Sequence, residues 1–423
     1  MSKSIVTEKQ LSFREKIQRF ITHHRATKHP IILVIIAVLL VAAVIVVGFV
    51  TKDDYLDPST VTLNRPANTA VQMSFAGDIM LGRQIAVRGE KEGYDVFFEK
   101  TSALWKDSDI VMGNLENVAI KGSESDYEKS ADPIILSSTP ESVTALKDAG
   151  FNLIGLANNH FCNLGRDGMR STFEIFEEND LEYLGAGYNI EEAARYAVKE
   201  INGFKIGIVA GTEVSGHGTL AGDDYPGSLS MLYTRFYDVI DSAASECDFT
   251  IVFMHWGDEN ILNPTEEMKE IGQKLIDAGA DAIIGMHPHV LLPVEKYRDG
   301  IICYSLGNFV FDQGKERQTD STLLNYTITE EGEGQLEFVP IKIVNGAPQV
   351  ATGKSDITRI NHFLTKGMDS SDYKVTDDGH ILITAPGVNL EDVEARKLAE
   401  AEEQAKLDRL QQKTQAQTTT VAN

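Results

Sequence analysis

Five apolar segments of this 423-residue chain end in side chains that bind cations or move protons. FAGDIM delivers Asp78, MGNLEN delivers Glu116, and GLANNHF delivers Asn159 and His160. FMHWGDE delivers His255, and IIGMHPHV delivers His287 and His289. One Asp, one Glu, one Asn and four His make a mixed nitrogen and oxygen donor set, suited to Mn, Fe, Zn or a related divalent ion. Each residue alone has a plainer reading. An Asp or Asn after a strand commonly forms a turn or caps a helix, and a lone His there is commonly a hydrogen-bonded structural residue. His287-Pro288-His289 is more specific, because positions i and i+2 of an extended segment project to one face. Pro288 stiffens the backbone between the two rings. Ligands collect at the carboxyl ends of strands in open α/β sheets, and recurrence at five such ends predicts a metal centre.

The elements that would position these residues are legible as alternating short apolar runs and helical patterns. VQMSFAG, DIVMGN, NLIGLA, KIGIVAG, DFTIVFMH and DAIIGM read as strands. TPESVTALKDAG, with a Thr cap, GMRSTFEIFEEN, LYTRFYDVIDSAASE and PTEEMKEIGQKLIDAG read as helices. This alternation predicts an α/β layered core with strands buried on both faces. After Asp281 strands predominate (LLPVEKY, IICYSL, TLLNYTIT, GQLEFVPIKIV), which predicts a second sheet of more antiparallel character. The expected organisation is a basic segment 1–30, a transmembrane helix 31–50, a linker 51–70, the main domain 71–345, an appendage 346–388, and a helical or disordered tail 389–423.

Charge is distributed unevenly. The chain carries −24 overall. Residues 1–30 hold seven Lys/Arg against Glu8 and Glu15, and residues 31–50 hold no charge, so −29 falls on residues 51–423. Such a body repels the phosphate backbone, which excludes DNA and RNA as partners. Twenty uncharged residues, Ile31–Val50, match the hydrocarbon thickness of a bilayer. The run is longer than a signal-peptide core and ends without a small-residue cleavage site. With a basic flank before it, the expected topology is a single pass, N-terminus cytoplasmic and main domain extracellular. The segment LSFREKIQRFI before it reads as a short basic amphipathic helix on the inner leaflet. Three cysteines without CxxC spacing argue against a disulfide framework, and Cys162 reads as a small buried filler. Gly185-Ala186-Gly187 lacks the full nucleotide-binding fingerprint.

FAGDIMLGR, GNLEN, LANNHFCNLGRDG, HWGDE, GADAIIGMHPHVLLPVE and YSLGNFVFDQG follow one another in an order and spacing that closely resemble the capsule-synthesis CapA family. The resemblance covers Val71–Phe338, and the apolar run with its preceding segment is similar as well. It implies a metallophosphoesterase-like α/β/β/α sandwich with an N-terminal transmembrane helix and two metals at the strand ends. It also implies a membrane component of poly-γ-glutamate synthesis or export, partnered by the membrane subunits of the synthase, the poly-γ-glutamate chain and the lipid bilayer.

By position, Asp78 would bind the first metal and help bridge, and Glu116 would stand where a bridging Asp is usual. Asn159, His255 and His287 would bind the second metal, and His289 the first. His160 would assist a leaving oxygen as proton donor or charge stabiliser. Asn158, Asn163, Asn308 and Asp312 would line the rim or orient ligands, the last two on a loop formed by YSLGNFVFDQ. Three departures bear on this. Met80 stands where the wider superfamily usually has a His, Met286 stands where His is frequent, and Asn163-Leu164-Gly165 replaces an Asp-Tyr-Gly. A set short of one His implies one tight and one weaker metal, so metal binding is better supported than catalysis. Two rival readings stay open: a non-catalytic, metal-stabilised assembly factor, and a general extracellular metallophosphatase. A body at −29 would repel a polyanionic strand everywhere except at a cationic metal centre, which favours brief handling of a chain end.

Overall fold

A computed structural model describes residues 56–216 and 218–421, together with Leu39. The basic segment 1–30, the transmembrane helix 31–50 (Leu39 aside) and linker positions 51–55 lie outside the described residues. Among the described residues no helix is long and apolar enough to cross a membrane.

The chain runs through β1 (Thr69–Ile79), α1 (Arg83–Glu92), β2 (Ile110–Leu115), α2 (Pro140–Asp148), β3 (Leu153–Gly155), α3 (Gly165–Glu178) and β4 (Glu182–Leu184). It continues through β5 (Ala197–Ile201), β6 (Phe204–Thr212), α4 (Thr234–Glu246), β7 (Phe249–His255), α5 (Glu266–Asp277), β8 (Ala282–Met286), β9 (Leu291–Tyr297) and β10 (Gly300–Leu306). Then follow β11 (Asn308–Val310), β12 (Asp320–Thr329), β13 (Gly334–Val344), β14 (Ala347–Val350), α6 (Lys354–Leu364), β15 (Tyr373–Val375), β16 (Ile381–Ala385) and α7 (Leu390–Val421). A ten-stranded sheet has the order β15-β16-β13-β12-β1-β2-β3-β4, with β11 on β1 and β14 on β13. A six-stranded sheet has the order β9-β10-β8-β7-β6-β5. Within them β1, β2 and β3 are parallel, as are β6, β7, β8 and β10.

Strand periodicity explains the layering. Ile110 and Met112 of β2 share a core with Ile251 and Phe253 of β7, so this core lies between the two sheets. Val111 points the other way, into a core with Leu146 of α2 and Phe173 of α3. On the far side, Val252 and Met254 of β7 pack with Phe236 of α4 and Leu275 of α5. Two sheets face to face with helices outside form an α/β/β/α sandwich, and the central strands β2, β7 and β8 are buried on both faces because each face is covered. The helices bury single stripes: Met169, Phe173 and Phe176 on α3, and Met268, Ile271 and Leu275 on α5. Thr265 caps α5, accepting the Met268 N–H at 3.1 Å. Thr139 precedes α2 without any such side-chain bond; Pro140, preset for the first helical position, starts that helix.

The late strands do not form a sheet of their own. β9 and β10 extend the six-stranded sheet, whereas β12 lies antiparallel on the open edge of β1 and β13 antiparallel on β12. An unpaired edge on a buried sheet leaves backbone donors and acceptors unmet, so successive segments are recruited to it. The same holds for the stretch 346–388, expected as an appendage. It supplies β14, β15 and β16 to the ten-stranded sheet, with Phe338 of β13 opposite Ile381 of β16. The tail continues as helix to Val421 and is tied down near its start, where Val393 is buried and Arg396 meets Asp248 at 2.7 Å.

Candidate metal centre

The carboxyl ends of β1, β2, β7 and β8 converge. Asp78, the penultimate residue of β1, faces Asn114 of β2 on one side and Asn308 of β11 on the other. That approach requires Gly77, where a Cβ would lie 2.0 Å from the Gly307 carbonyl oxygen. Glu116 follows β2, its N–H donated to the Ile79 carbonyl at 2.8 Å. Both carboxylates are fully buried. Asp78 accepts the Asn114 amide at 2.8 Å and the His287 backbone N–H at 3.1 Å. Glu116 accepts nothing: both its oxygens are buried without a hydrogen-bond partner. Burial, reinforced by the Asp78 charge and opposed by His289, holds its carboxyl well above the usual range.

Around these carboxylates stand three imidazoles in two overlapping groups. Asp78, Glu116 and His289 form one, and Glu116, His255 and His287 the other, with donor atoms in each group within 4.8 Å of one another. Nε2 of His289 lies 3.5 Å from Glu116 and its Nδ1 lies 3.5 Å from Asp78. Nε2 of His255 lies 3.9 Å from the same Glu116 oxygen. Nδ1 of His287 is buried without a partner, and its ring sits 4.6 Å from that of His255. Burial, aided by the neighbouring His rings, pushes His255 well below its usual pKa and His287 down to about 3. Burial also depresses His289, but Glu116 and Asp78 outweigh it and raise the group to about 9. Unpartnered buried oxygen and nitrogen atoms converging at this spacing make a candidate donor set for a divalent cation.

The backbone places the two HPH rings differently from the extended segment expected. His287 has φ 93° and His289 φ 57°, both in the left-handed region rare for residues with a Cβ. The segment is a turn beyond β8, held by Asn260 N–H on the Pro288 carbonyl at 2.8 Å and by the His287 N–H on Asp78. Instead of sharing one face, the rings serve different groups, their centroids 5.8 Å apart.

Buried amides and the half-buried Asn159 frame the centre. Asn159 Oδ1 lies 2.9 Å from His255 Nε2, beside the second group. Asn158 donates to Asn114 at 3.1 Å and to the Leu115 carbonyl at 2.8 Å, and accepts the His160 N–H at 3.1 Å. Nδ1 of His160 is 3.0 Å from Asn163 Oδ1, with Asp132 3.8 Å away. Burial lowers the His160 pKa, and Asn163 and Asp132 oppose it. Asn308 is fully buried on β11, not on a rim loop, because β1 needs a parallel partner beyond its bulge. Asp312 instead forms an ion pair with Arg83. Sequence reasoning does not single out Asn114, which donates to Asp78 and lies 3.3 Å from His255 Nδ1. Nor does it single out Asn117, which accepts the Leu81 N–H at 2.7 Å, or Asp132. The two Asn flank Glu116 inside GNLEN, which is the available signal; nothing marks Asp132, 28 residues before His160. Cys162 is buried, its sulfur 2.9 Å from Thr219 Oγ1.

Comparison with known proteins gives the centre its context. Residues 72–313 match the family described as bacterial capsule synthesis protein PGA_cap. The chain is similar to the capsule biosynthesis protein CapA of Bacillus anthracis, at 36% identity over 366 residues, 85% of this chain and 87% of that relative. It is also similar to the PGA biosynthesis protein CapA of Bacillus subtilis (strain 168), at 35% identity over 344 residues, 81% of this chain and 88% of that one. Among solved structures, a 5′-nucleotidase precursor from Thermus thermophilus matches with a TM-score of 0.32 and 13% identity, over 80% of this chain and 59% of that one. A likeness at that level bears on neither fold nor chemistry. The length and identity of the two CapA alignments do bear on descent, and the chain belongs to the bacterial capsule synthesis protein PGA_cap family.

Proposed function

We propose that the protein is a membrane-anchored component of poly-γ-glutamate capsule synthesis or export that works through a divalent-metal centre outside the membrane. The observation that carries the metal reading is Glu116, fully buried, shared by both donor groups, and without a hydrogen bond to either oxygen. Asp78, Glu116 and His289 would hold one ion; Glu116, His255 and His287, with Asn159 beside them, the other. Divalent ions there would supply Lewis acidity to a phosphoryl or carbonyl oxygen and lower the pKa of an attacking water.

The chain's own residues then do three things. Asn114 fixes Asp78 by donating to it. The buried sandwich walls around the strand ends restrict water. His160 manages a proton at Nε2, because its Nδ1 is committed to Asn163 Oδ1, an oxygen that also accepts the Leu136 N–H at 2.8 Å. The uncharged run 31–50 would anchor the body, and the membrane subunits that polymerise glutamate would be its partners.

The test is metal analysis of the full-length protein in detergent, followed by assays on phosphomonoesters, phosphodiesters and γ-glutamyl amides. A chain that takes up no Mn, Fe or Zn sinks the proposal. A His160→Ala variant should keep its metal and lose about 10²–10⁴ in rate if turnover is the role. Normal polymer in cells carrying only that variant, with metal retained, would leave the assembly-factor reading in its place.

A further inference from the structure

Asn308 touches His289 but none of the candidate donor atoms of Asp78 or Glu116 is its hydrogen-bond partner. Its Oδ1 lies 2.9 Å from His289 Nδ1. Its Nδ2 lies 3.1 Å from the Gln318 carbonyl oxygen and 3.0 Å from Gln313 Oε1. A backbone carbonyl can only accept, so the atom facing Gln318 must be the amide nitrogen, and the atom facing His289 must be the oxygen. An amide oxygen can only accept in turn, so the proton of that contact sits on His289 Nδ1. The lone pair available to a metal is therefore on Nε2, which is the nitrogen 3.5 Å from Glu116.

Asn308 is itself immobilised. It is fully buried and lies opposite Asp78 in the β1–β11 pairing, and its carbonyl accepts the Ser321 hydroxyl. A rigid acceptor behind a ligating imidazole sets both ring orientation and tautomer. On these grounds we infer that Asn308 is a positioning residue of the centre, holding His289 as the Nδ1–H tautomer so that Nε2 is presented to the ion shared with Glu116 and Asp78.

The inference rests on the metal reading above, and the experiment separates the two. Full-length protein is loaded with zinc, which is diamagnetic, and the His289 ring is read by long-range proton–nitrogen NMR, assigned with a His289 variant. Zinc affinity is measured by competition with a chromophoric chelator. Wild type should show a protonated Nδ1 and a coordinated Nε2. Asn308→Leu should bind zinc about 10–100-fold more weakly, the usual cost of removing an outer partner of a metal-bound His. Asn308→Asp keeps an acceptor at His289 while losing the donors to Gln318 and Gln313, so it should retain the wild-type tautomer and lose less than about tenfold. This second variant also covers the case in which Asn308→Leu does not fold. A structural role through Nδ2 predicts the reverse, with Asn308→Asp as damaged as Asn308→Leu, and that result overturns the inference. So does zinc coordination through Nδ1 in the wild type, or an Asn308→Leu affinity equal to wild type. A wild-type chain that takes up no zinc overturns the metal reading and this inference with it.

Discussion

Among the described residues, two of the carboxylates buried beside histidines, Glu337 and Glu116, are treated oppositely. Glu337, on β13, accepts the backbone N–H of Asn64 at 3.0 Å, the Asn64 amide at 2.8 Å and His380 Nδ1 at 2.7 Å. Glu116, at the end of β2, is equally buried, has three imidazoles around it and receives no hydrogen bond at all. Burying a carboxylate without donors costs free energy that a fold ordinarily avoids. Glu337 shows that this fold can satisfy a buried acid when stability alone is at stake. The contrast sets Glu116 apart as an unpartnered candidate ligand, and Glu337 as a tie between the segment before β1, the late strand β13 and the turn before β16.

The contrast can be broken most severely at the histidines. Removing His287 and His289 together takes one imidazole from each donor group, and the His287→Ala/His289→Ala protein should lose all tight metal in a mass-spectrometric assay. Its circular dichroism should stay that of a folded chain, since the sandwich core is separate from the centre. Full occupancy in that variant would mean the site has been misplaced. Next in size is Glu337→Ala, which strands His380 and Asn64 and should cost about 3 kcal/mol in urea unfolding. Metal occupancy should be unchanged; if it fell in parallel, the two regions would not be separable.

Glu116→Gln should do the opposite. In the presence of a chelator its stability should stay within about 1 kcal/mol of wild type, because no hydrogen bond is lost. Its uptake of both ions should nevertheless fail. A large stability loss would show that Glu116 is a structural acid like Glu337.

The smallest effect is a count of protons. His289 is held up at about 9, so at pH 7.5 it carries its second proton in the metal-free chain. Loading must expel that proton, and calorimetry in buffers of different ionisation heat should register about one proton or more released. The contribution from His289 should shrink as pH rises through about 9, where the group deprotonates unaided. A release independent of pH between 7 and 10 would show that His289 is already neutral in the metal-free chain.

Legibility in the sequence follows the same division. Asp78, Glu116, Asn159, His255, His287 and His289 each stand at or just beyond an apolar run, and the structure gathers them around the ends of parallel strands. The Glu337–His380 tie is not legible. It joins residues 43 apart in a stretch without strong periodicity, and its imidazole lies in a turn whose partner strand nothing local identifies. Asn308 reads as a residue of a rim loop because YSLGN ends a strand with Gly307, a normal turn signal. Gly77, whose missing Cβ lets the Gly307 backbone approach, instead lets that segment pair in parallel with the end of β1 at Asp78.

What the sequence determined by itself is local: which runs are strands, which stripes are helices, and which polar residues fall where a run ends. Periodicity and capping are short-range physics, so a single chain states them openly. The tertiary structure decided which of those ends meet. Glu116 became shared between two donor groups because the ends of β2 and β8, far apart in the chain, come together in space. His287 and His289 were divided between the groups because the turn carrying them is bent into positive φ by bonds to Asp78 and Asn260. Those bonds come from segments distant in sequence, and no local pattern encodes a contact whose partner is chosen only when the sheets close.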